Sequence, residues 1–156
     1  MILRWRFIAE KDLASRAIAW FGGGNWSHVD VVMPDGCVAG ARADVLKGVA
    51  AGYQIRPYDY IAPVSEVMLS LEVTASQAQA YYDASKAKIG CPYDKLAILG
   101  FILGRNWMEP DAWECAEAQA DNGMLAKLWN KLYLSANRIT PNDLTLILSA
   151  VGATIP

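Results

Sequence analysis

The chain has 156 residues, of which 54% are hydrophobic and 19% are charged. This length fits a single domain spanning residues 1–156, and the apolar composition excludes a disordered chain. The formal net charge is −2 and the basic residues are scattered along the sequence, so nucleic-acid binding is not expected.

The cysteine content and the first residues of the sequence predict the compartment. The three cysteines, Cys37, Cys91 and Cys115, cannot all pair within the chain, and their spacing fits no zinc-binding pattern. The first residues, MILRWRFIAEKD, are charged too early for a signal peptide, and no apolar stretch reaches the roughly 18 residues of a membrane span. We therefore expect a soluble protein with at least one free thiol, cytoplasmic as synthesised, with no transmembrane segment.

The first elements predicted are a short N-terminal strand and a helix. Asp12 is placed to cap this helix, and Leu13, Ala17 and Phe21 recur at helical spacing. Three glycines, at 22–24, then end it. They do not predict a phosphate-binding loop, because no Lys-Ser or Lys-Thr pair follows them and they lead into a strand.

The middle of the chain predicts a β-sheet. Apolar residues alternate with polar ones at 67–73, which is the period of a strand with one buried face. The other predicted segments are a strand at 28–33, a tight turn at 34–36, a returning strand at 37–42 and a strand at 53–55. We expect at least three antiparallel strands.

The second half of the chain predicts helices. One runs over 74–89 and is interrupted at 90–92, a strongly apolar one follows over 93–103, and another begins near Trp113. Thr140, Pro141 and Asp143 have the residue types of a helix start. Strands that come early and helices that come late predict the α+β class.

Two short segments contain the residue types of a thiol-based catalyst. WSHVDVV carries His28, the only histidine, at the start of a strand, and WECAEAQAD carries Cys115 near the start of a helix. Free backbone N–H groups and the helix dipole favour a thiolate at that position. A nearby imidazole accepts the thiol proton and later protonates the leaving group. In a third segment, GCPYD, the phenol of Tyr93 is a candidate hydrogen-bond donor to the same site.

The order of these motifs resembles the circularly permuted branch of the NlpC-type papain-like cysteine hydrolases, the YiiX-like group. Five segments carry the resemblance, and they lie at 27–29, 38–41, 90–94, 113–117 and 139–144. The resemblance implies a papain-like α+β fold in which the helix of Cys115 packs on an antiparallel sheet containing His28. It also implies that Cys115 is the nucleophile, His28 the general base, and Tyr93 a donor to the oxyanion beside the backbone N–H of Cys115.

The chain departs from this group at the residue that orients the histidine. The group commonly has a glutamate on the strand after the histidine strand, and the matching position here is Gly40. Asp30 lies two residues after His28 and so shares its face of the strand, while Asp44 follows the end of the next strand. Either carboxylate, a backbone carbonyl or a water molecule could orient the imidazole.

The residues and the resemblance together predict a cysteine hydrolase that forms a thioester at Cys115. The substrates that the resemblance suggests are a cell-wall-type peptide or an acyl or lipid ester or amide, and no metal or organic cofactor is required. One alternative is a non-catalytic papain-like binding or structural module, of a phage or prophage. The other is an acyltransferase that uses the same Cys–His pair and differs only in what resolves the thioester.

Overall fold

The computed structural model describes residues 1–94, 112–130 and 139–156. Within them the fold is α+β, as predicted, with a five-stranded antiparallel sheet and four helices. None of these helices reaches the length and apolarity of a membrane span. The strands are β1 (Ile2–Ala9), β2 (His28–Val32), β3 (Val38–Arg42), β4 (Gly52–Arg56) and β5 (Ser65–Glu72); the helices are α1 (Leu13–Phe21), α2 (Ala75–Ala87), α3 (Cys115–Leu125) and α4 (Pro141–Ala150).

The sheet has the strand order β4-β3-β2-β1-β5, and each neighbouring pair is antiparallel. In the strand β1, Trp5 pairs with Val31 of β2 on one side and with Leu69 of β5 on the other. All of the strands predicted from alternation and turn residues are confirmed, with ends shifted by a few residues. The N-terminal strand is longer than predicted because it pairs along its whole length with β5.

One face of the sheet is covered by helices. The side chains on this face are apolar and buried, and α2 and α3 pack against them and against each other. A buried hydrogen-bond chain crosses this interface: Trp5 Nε1 donates to the hydroxyl of Tyr81, which lies 2.7 Å from Oε1 of Gln119. Large side chains with satisfied polar atoms therefore fix how the helices sit on the sheet.

Helix starts follow the predicted caps. The side chain of Asp12 accepts the N–H of Ser15 at the start of α1, and Gly22 ends that helix. Thr74 and Thr140 cap α2 and α4 and form capping boxes. The end of α2 differs from the prediction, because the helix stops at Ala87 rather than continuing to residue 89.

The helix that carries Cys115 is held against β3. Gln119 lies one turn after Cys115 on α3, and its Nε2 donates to the carbonyl oxygen of Ala39 over 3.0 Å. The predicted start near Trp113 is confirmed within two residues, since Cys115 is the first helical residue and Glu114 is the N-cap. The helix also packs against β2, the strand that begins with His28.

The predicted helix at 93–103 does not begin at Tyr93. Tyr93 forms an isolated parallel bridge with Trp113, in which Trp113 N donates to Pro92 O and Asp94 N donates to Trp113 O. The carbonyl of Pro92, which would accept the first hydrogen bond of a helix starting at Tyr93, is bonded to Trp113 instead. Residues 95–103 lie outside the described part of the chain.

The segment before Tyr93 is fixed to the edge of the sheet. Gly90 N donates to Tyr53 O and Tyr53 N donates to Cys91 O, both over 2.9 Å. Gly52 permits this close approach, because a Cβ there would lie 2.3 Å from the carbonyl oxygen of Cys91 and its φ is 101°. The loop therefore places Tyr93 close to the start of α3, where Tyr93 forms its bridge with Trp113.

Candidate active site

His28 is the first residue of β2 and is 5% exposed. Its pairing with Ile8 of β1, together with the hydrogen bond from Ser27 N to Ile8 O, fixes the start of the strand. The imidazole Nε2 lies 2.9 Å from Oδ1 of Asp30. Strand geometry places residues two apart on one face, so the backbone alone brings this pair together.

Gly40 provides the room that Asp30 needs. The pairing of β2 with β3 begins only at Val31 and Ala39, which leaves Asp30 beside Gly40. A Cβ at position 40 would lie 2.2 Å from Oδ1 of Asp30, the atom that contacts His28. The carboxylate of Asp30 thus fills the space that a side chain at position 40 would enter. The carboxylate that contacts His28 therefore comes from the same strand, β2, and the neighbouring strand β3 contributes a glycine at this position.

The carboxylate of Asp30 is ionised. Burial alone would raise its pKa, but the charge and hydrogen bond of His28, a hydrogen bond from Tyr60 and the charge of Arg42 together hold the pKa below its usual value. The Tyr60 hydroxyl donates to Oδ2 of Asp30 over 2.8 Å. Each oxygen of the carboxylate therefore has its own partner.

Arg42 connects this carboxylate to two further acidic residues. Its guanidinium donates to both oxygens of Glu10, at 2.8 and 3.0 Å, and its Nε donates to Asp44 over 2.9 Å. Nη1 of Arg42 also donates to the hydroxyl of Tyr60 over 3.2 Å. Of the two carboxylates expected to orient His28, Asp30 contacts the imidazole, whereas Asp44 binds Arg42.

Cys115 lies at the first helical position of α3 and is 1% exposed. Its thiol donates to Oε1 of Glu114 over 2.7 Å. The other oxygen of Glu114 accepts the backbone N–H groups of Ala116 and Glu117, at 2.8 and 3.0 Å. The free amides at the start of this helix are therefore bound by the Glu114 carboxyl and not by the sulfur.

This arrangement reverses the expected effect of the helix end on Cys115. Burial, the charge of Glu114 and its hydrogen bond raise the pKa of the Cys115 thiol well above 9.0, with a further contribution from Asp30. A hydrogen bond from the backbone N–H of Val29 acts in the opposite direction. The helix-end amides that would stabilise a thiolate at Cys115 are already bound to Glu114, so the neutral thiol is favoured.

The groups around His28 and Cys115 adjoin one another. The negative charge of Asp30 contributes to the raised pKa of Cys115. Burial raises the pKa of Glu114, and the charge of His28 acts on it in the opposite direction. Among the described residues, no hydrogen bond joins the Cys115 sulfur to the imidazole. The structure thus places the two predicted catalytic residues in neighbouring clusters and leaves their direct contact unmade.

Tyr93 belongs to both clusters. It is 8% exposed, and burial together with the charges of Cys115 and Glu114 raises the pKa of its phenol well above 10.0. Tyr93 and His28 also line a pocket of about 200 Å³. The wall of this pocket includes Ser27, Arg42 and Asp44. Cys115 is not among the described residues that line this pocket, so solvent reaches the site from the side of the imidazole and the phenol.

Three residues of the site were not predicted from the sequence: Tyr60, Arg42 and Glu114. Tyr60 follows β4 in a turn closed by the hydrogen bond from its N–H to Pro57 O. The proline in PYDY is a signal for that turn, but nothing local indicates that its tyrosine reaches β2. The position of Glu114 next to Cys115 was a usable signal, since an acidic residue before a helix is a candidate N-cap.

No model of a known protein family matches this chain, and no curated protein matches it. Among the residues described, no group of three or more His, Cys, Asp or Glu side chains is arranged to hold a metal ion. What defines the site is its own chemistry: a buried imidazole–carboxylate pair beside a buried thiol, with a phenol that contacts the pocket.

Glu114→Gln is expected to make Cys115 more reactive. Loss of the neighbouring negative charge lowers the pKa of the thiol, so alkylation by iodoacetamide at a pH of about 8 should accelerate about threefold or more. The rate is measured by mass spectrometry in a Cys37→Ala/Cys91→Ala background, where Cys115 is the only thiol. Glu72→Gln, at an exposed position of β5, is the matched control. An unchanged or slower rate in Glu114→Gln would show that Glu114 does not control the thiol.

Glu117→Gln is expected to change how stability depends on pH. Burial raises the pKa of Glu117 from 4.5 to about 7, so the folded protein holds a proton there that the unfolded chain releases. As pH rises from 4.5 to 7, a carboxyl with these two pKa values lowers the free energy of unfolding by about 3 kcal/mol. Urea unfolding of Glu117→Gln should lack this decrease and give a more stable protein at a pH of about 8. A decrease of the same size in wild type and variant would assign it to other groups.

Proposed function

We propose that this chain is a cysteine hydrolase with a circularly permuted papain-like fold, which cleaves an amide or ester bond through a thioester at Cys115. The observation that carries the proposal is the buried His28–Asp30 pair at the wall of the pocket. A buried carboxylate that orients an imidazole is the usual partner of an activated nucleophile. The order of the elements agrees, since the strand of His28 precedes the helix of Cys115.

The contact with Asp30 determines which nitrogen of His28 can act as a base. An ionised carboxylate only accepts hydrogen bonds, so Nε2 of the neutral imidazole carries the proton and donates to Oδ1 of Asp30. Nδ1 then has a free lone pair. In the proposed mechanism Nδ1 takes the proton of Cys115, and the resulting imidazolium is stabilised by the charge of Asp30.

Acylation follows from this proton transfer. The thiolate of Cys115 attacks the carbonyl carbon of the substrate, and the carbonyl π electrons move to the oxygen, which becomes an oxyanion. Two donors are available for it: the phenol of Tyr93 and the backbone N–H of Cys115, which among the described residues donates to no acceptor. The oxyanion then re-forms the carbonyl, the bond to the leaving amine or alcohol breaks, and the imidazolium of His28 protonates that group.

Water completes the cycle. Nδ1 of His28 removes a proton from a water molecule, which attacks the thioester carbonyl of acylated Cys115. The second tetrahedral intermediate expels the thiolate, which regains its proton from the imidazolium, and the carboxylic acid leaves. The complete cycle therefore requires only the protein, the substrate and water.

The described state is the resting state in this proposal. The thiol is bonded to Glu114 and is nearly inaccessible, so catalysis requires the sulfur to exchange the carboxylate of Glu114 for Nδ1 of His28. Strand alternation points His28 away from the face of β2 that the helices cover, so this exchange requires the sulfur and the imidazole to meet at the end of the strand. The substrate classes that this mechanism accepts are cell-wall-type peptides and acyl or lipid esters or amides.

One observation favours the second candidate, a non-catalytic papain-like module. Cys115 is buried and is held by Glu114, as a structural thiol would be. In that function the thiol only packs the core and the pocket serves for binding. An acyltransferase would share all of the steps up to the thioester and would pass the acyl group to an amine or alcohol instead of water.

Turnover of 4-nitrophenyl acetate separates these three functions. A hydrolase releases more than one equivalent of nitrophenol per protein and accumulates free acetate, and Cys115→Ala does neither. An acyltransferase stops near one equivalent until an amine or alcohol acceptor is added. Release at the same rate by wild type and Cys115→Ala would overturn both catalytic proposals and leave the module.

A further inference from the structure

Tyr60 lies between a cation and the carboxylate that contacts His28. Its hydroxyl accepts from Nη1 of Arg42 over 3.2 Å and donates to Oδ2 of Asp30 over 2.8 Å. The side chain is 3% exposed, so water does not compete for these bonds. A hydroxyl has one proton, and because Arg42 can only donate, that proton must go to Asp30.

The direction of these bonds is fixed by the surrounding charges. Arg42 is held by both oxygens of Glu10 and by Asp44, so it cannot turn away from Tyr60 without losing charge-assisted hydrogen bonds. The ring of Tyr60 also lies between cationic side chains, with the guanidinium carbons of Arg6 and Arg42 5.8 and 5.4 Å from its centroid. Tyr60 therefore presents a donor, and not an acceptor, to residue 30.

We propose that Tyr60 is a positioning residue that fixes the orientation of side chain 30 against His28. Its hydroxyl holds Oδ2 of Asp30, so that Oδ1 is the atom presented to Nε2. The importance of this orientation for catalysis rests on the proposed function. The control of the orientation by Tyr60 does not, and it is measured separately through the tautomer of His28 in Asp30→Asn.

The substitution Asp30→Asn reveals this control. Because Tyr60 must donate, it binds the amide oxygen of the new side chain and leaves the amide nitrogen, a donor, facing Nε2 of His28. Nε2 must then accept, the proton moves to Nδ1, and the base is lost. If Tyr60→Phe is added, the amide is free to reverse, its oxygen accepts from Nε2, and Nδ1 regains its lone pair.

The tautomer is measured by long-range ¹H–¹⁵N correlation spectra, in which the single histidine of the chain gives one unambiguous set of signals. We expect Nε2–H in wild type, Nδ1–H in Asp30→Asn, and Nε2–H again in Asp30→Asn/Tyr60→Phe. Tyr60→Phe alone should keep Nε2–H, because either oxygen of the Asp30 carboxylate only accepts. Nδ1–H in wild type, or the same tautomer in Asp30→Asn with and without Tyr60, would overturn the inference. The wild-type spectrum tests the predicted Nε2–H tautomer even if a variant fails to fold.

Activity gives a second readout that a merely structural residue would not produce. Tyr60→Phe should lower kcat about tenfold in wild type and raise it about tenfold in Asp30→Asn, with KM little changed. A decrease in both backgrounds would assign Tyr60 a structural role only. Tyr82→Phe, on α2, is the matched control and should change kcat in neither background. If the tautomers follow the expected order but no variant turns over substrate, the proposed function fails and the control by Tyr60 stands.

Discussion

Cys115→Ala is expected to lower kcat on the order of 10⁴-fold or more, since the remaining pocket has no group that can form the thioester. The chain offers two matched controls, because Cys37 and Cys91 are partly exposed, and in the described part of the chain neither forms a hydrogen bond with His28. Cys37→Ala and Cys91→Ala should each retain kcat within about twofold of wild type. The rates are measured with 4-nitrophenyl acetate under saturating conditions.

His28→Ala should give a loss of similar size if the two residues act as one unit. Substitutions in such a unit are not additive, so Cys115→Ala/His28→Ala should be little slower than either single variant. Additive losses would show that the two residues act independently. A kcat of Cys115→Ala close to that of wild type would remove Cys115 from the mechanism.

The second large effect is expected when the carboxylate beside His28 is moved from residue 30 of β2 to residue 40 of β3. Gly40→Asp should inactivate the protein on the order of 100-fold, because the new Cβ would lie 2.2 Å from Oδ1 of Asp30. Asp30→Ala should also lose about 100-fold, since His28 then has no carboxylate partner. Asp30→Ala/Gly40→Asp removes the 2.2 Å clash, leaves only the tight contact of 3.1 Å with the carbonyl oxygen of Val29, and returns a carboxylate to the surroundings of His28. We therefore expect kcat to recover at least about tenfold relative to either single variant.

Gly40→Ala provides the steric control for this exchange. It introduces the same clash without a carboxylate, so combining it with Asp30→Ala should restore stability and leave kcat low. Thermal unfolding measures the first effect and turnover the second. If Asp30→Ala/Gly40→Asp is no more active than Asp30→Ala/Gly40→Ala, the carboxylate beside His28 has no catalytic role.

Local patterns were sufficient to predict much of the framework. Alternation placed Asp30 on the same face as His28, and this contact is present. Cap residues predicted the starts of α1 and α4, because each cap bonds to a backbone group only a few residues away. A capped helix start depends on contacts between residues that are close in sequence, so it can be predicted from the sequence.

Other features depend on which segments meet in space. Tyr60 reaches Asp30 across 30 positions of sequence, and its role follows only from the placement of the turn after β4. Gly40 looked like a missing partner for His28, yet its lack of a side chain is what admits Asp30. The reactivity expected for Cys115 was wrong in direction, because a helix end favours a thiolate only when no stronger acceptor occupies its amides, and here Glu114 does.

The most direct test of the central claim is the acylation of Cys115 under single-turnover conditions. Cys37→Ala/Cys91→Ala protein is mixed with 4-nitrophenyl acetate, quenched in acid and mapped by mass spectrometry, with and without His28→Ala. We predict one acetyl group on Cys115, formed at least about 100-fold more slowly in His28→Ala and partly restored by added imidazole. Acetylation of Cys115 at an equal rate in both proteins, or no acetylation of Cys115 in either, would contradict the assignment of His28 and Cys115 as a catalytic pair.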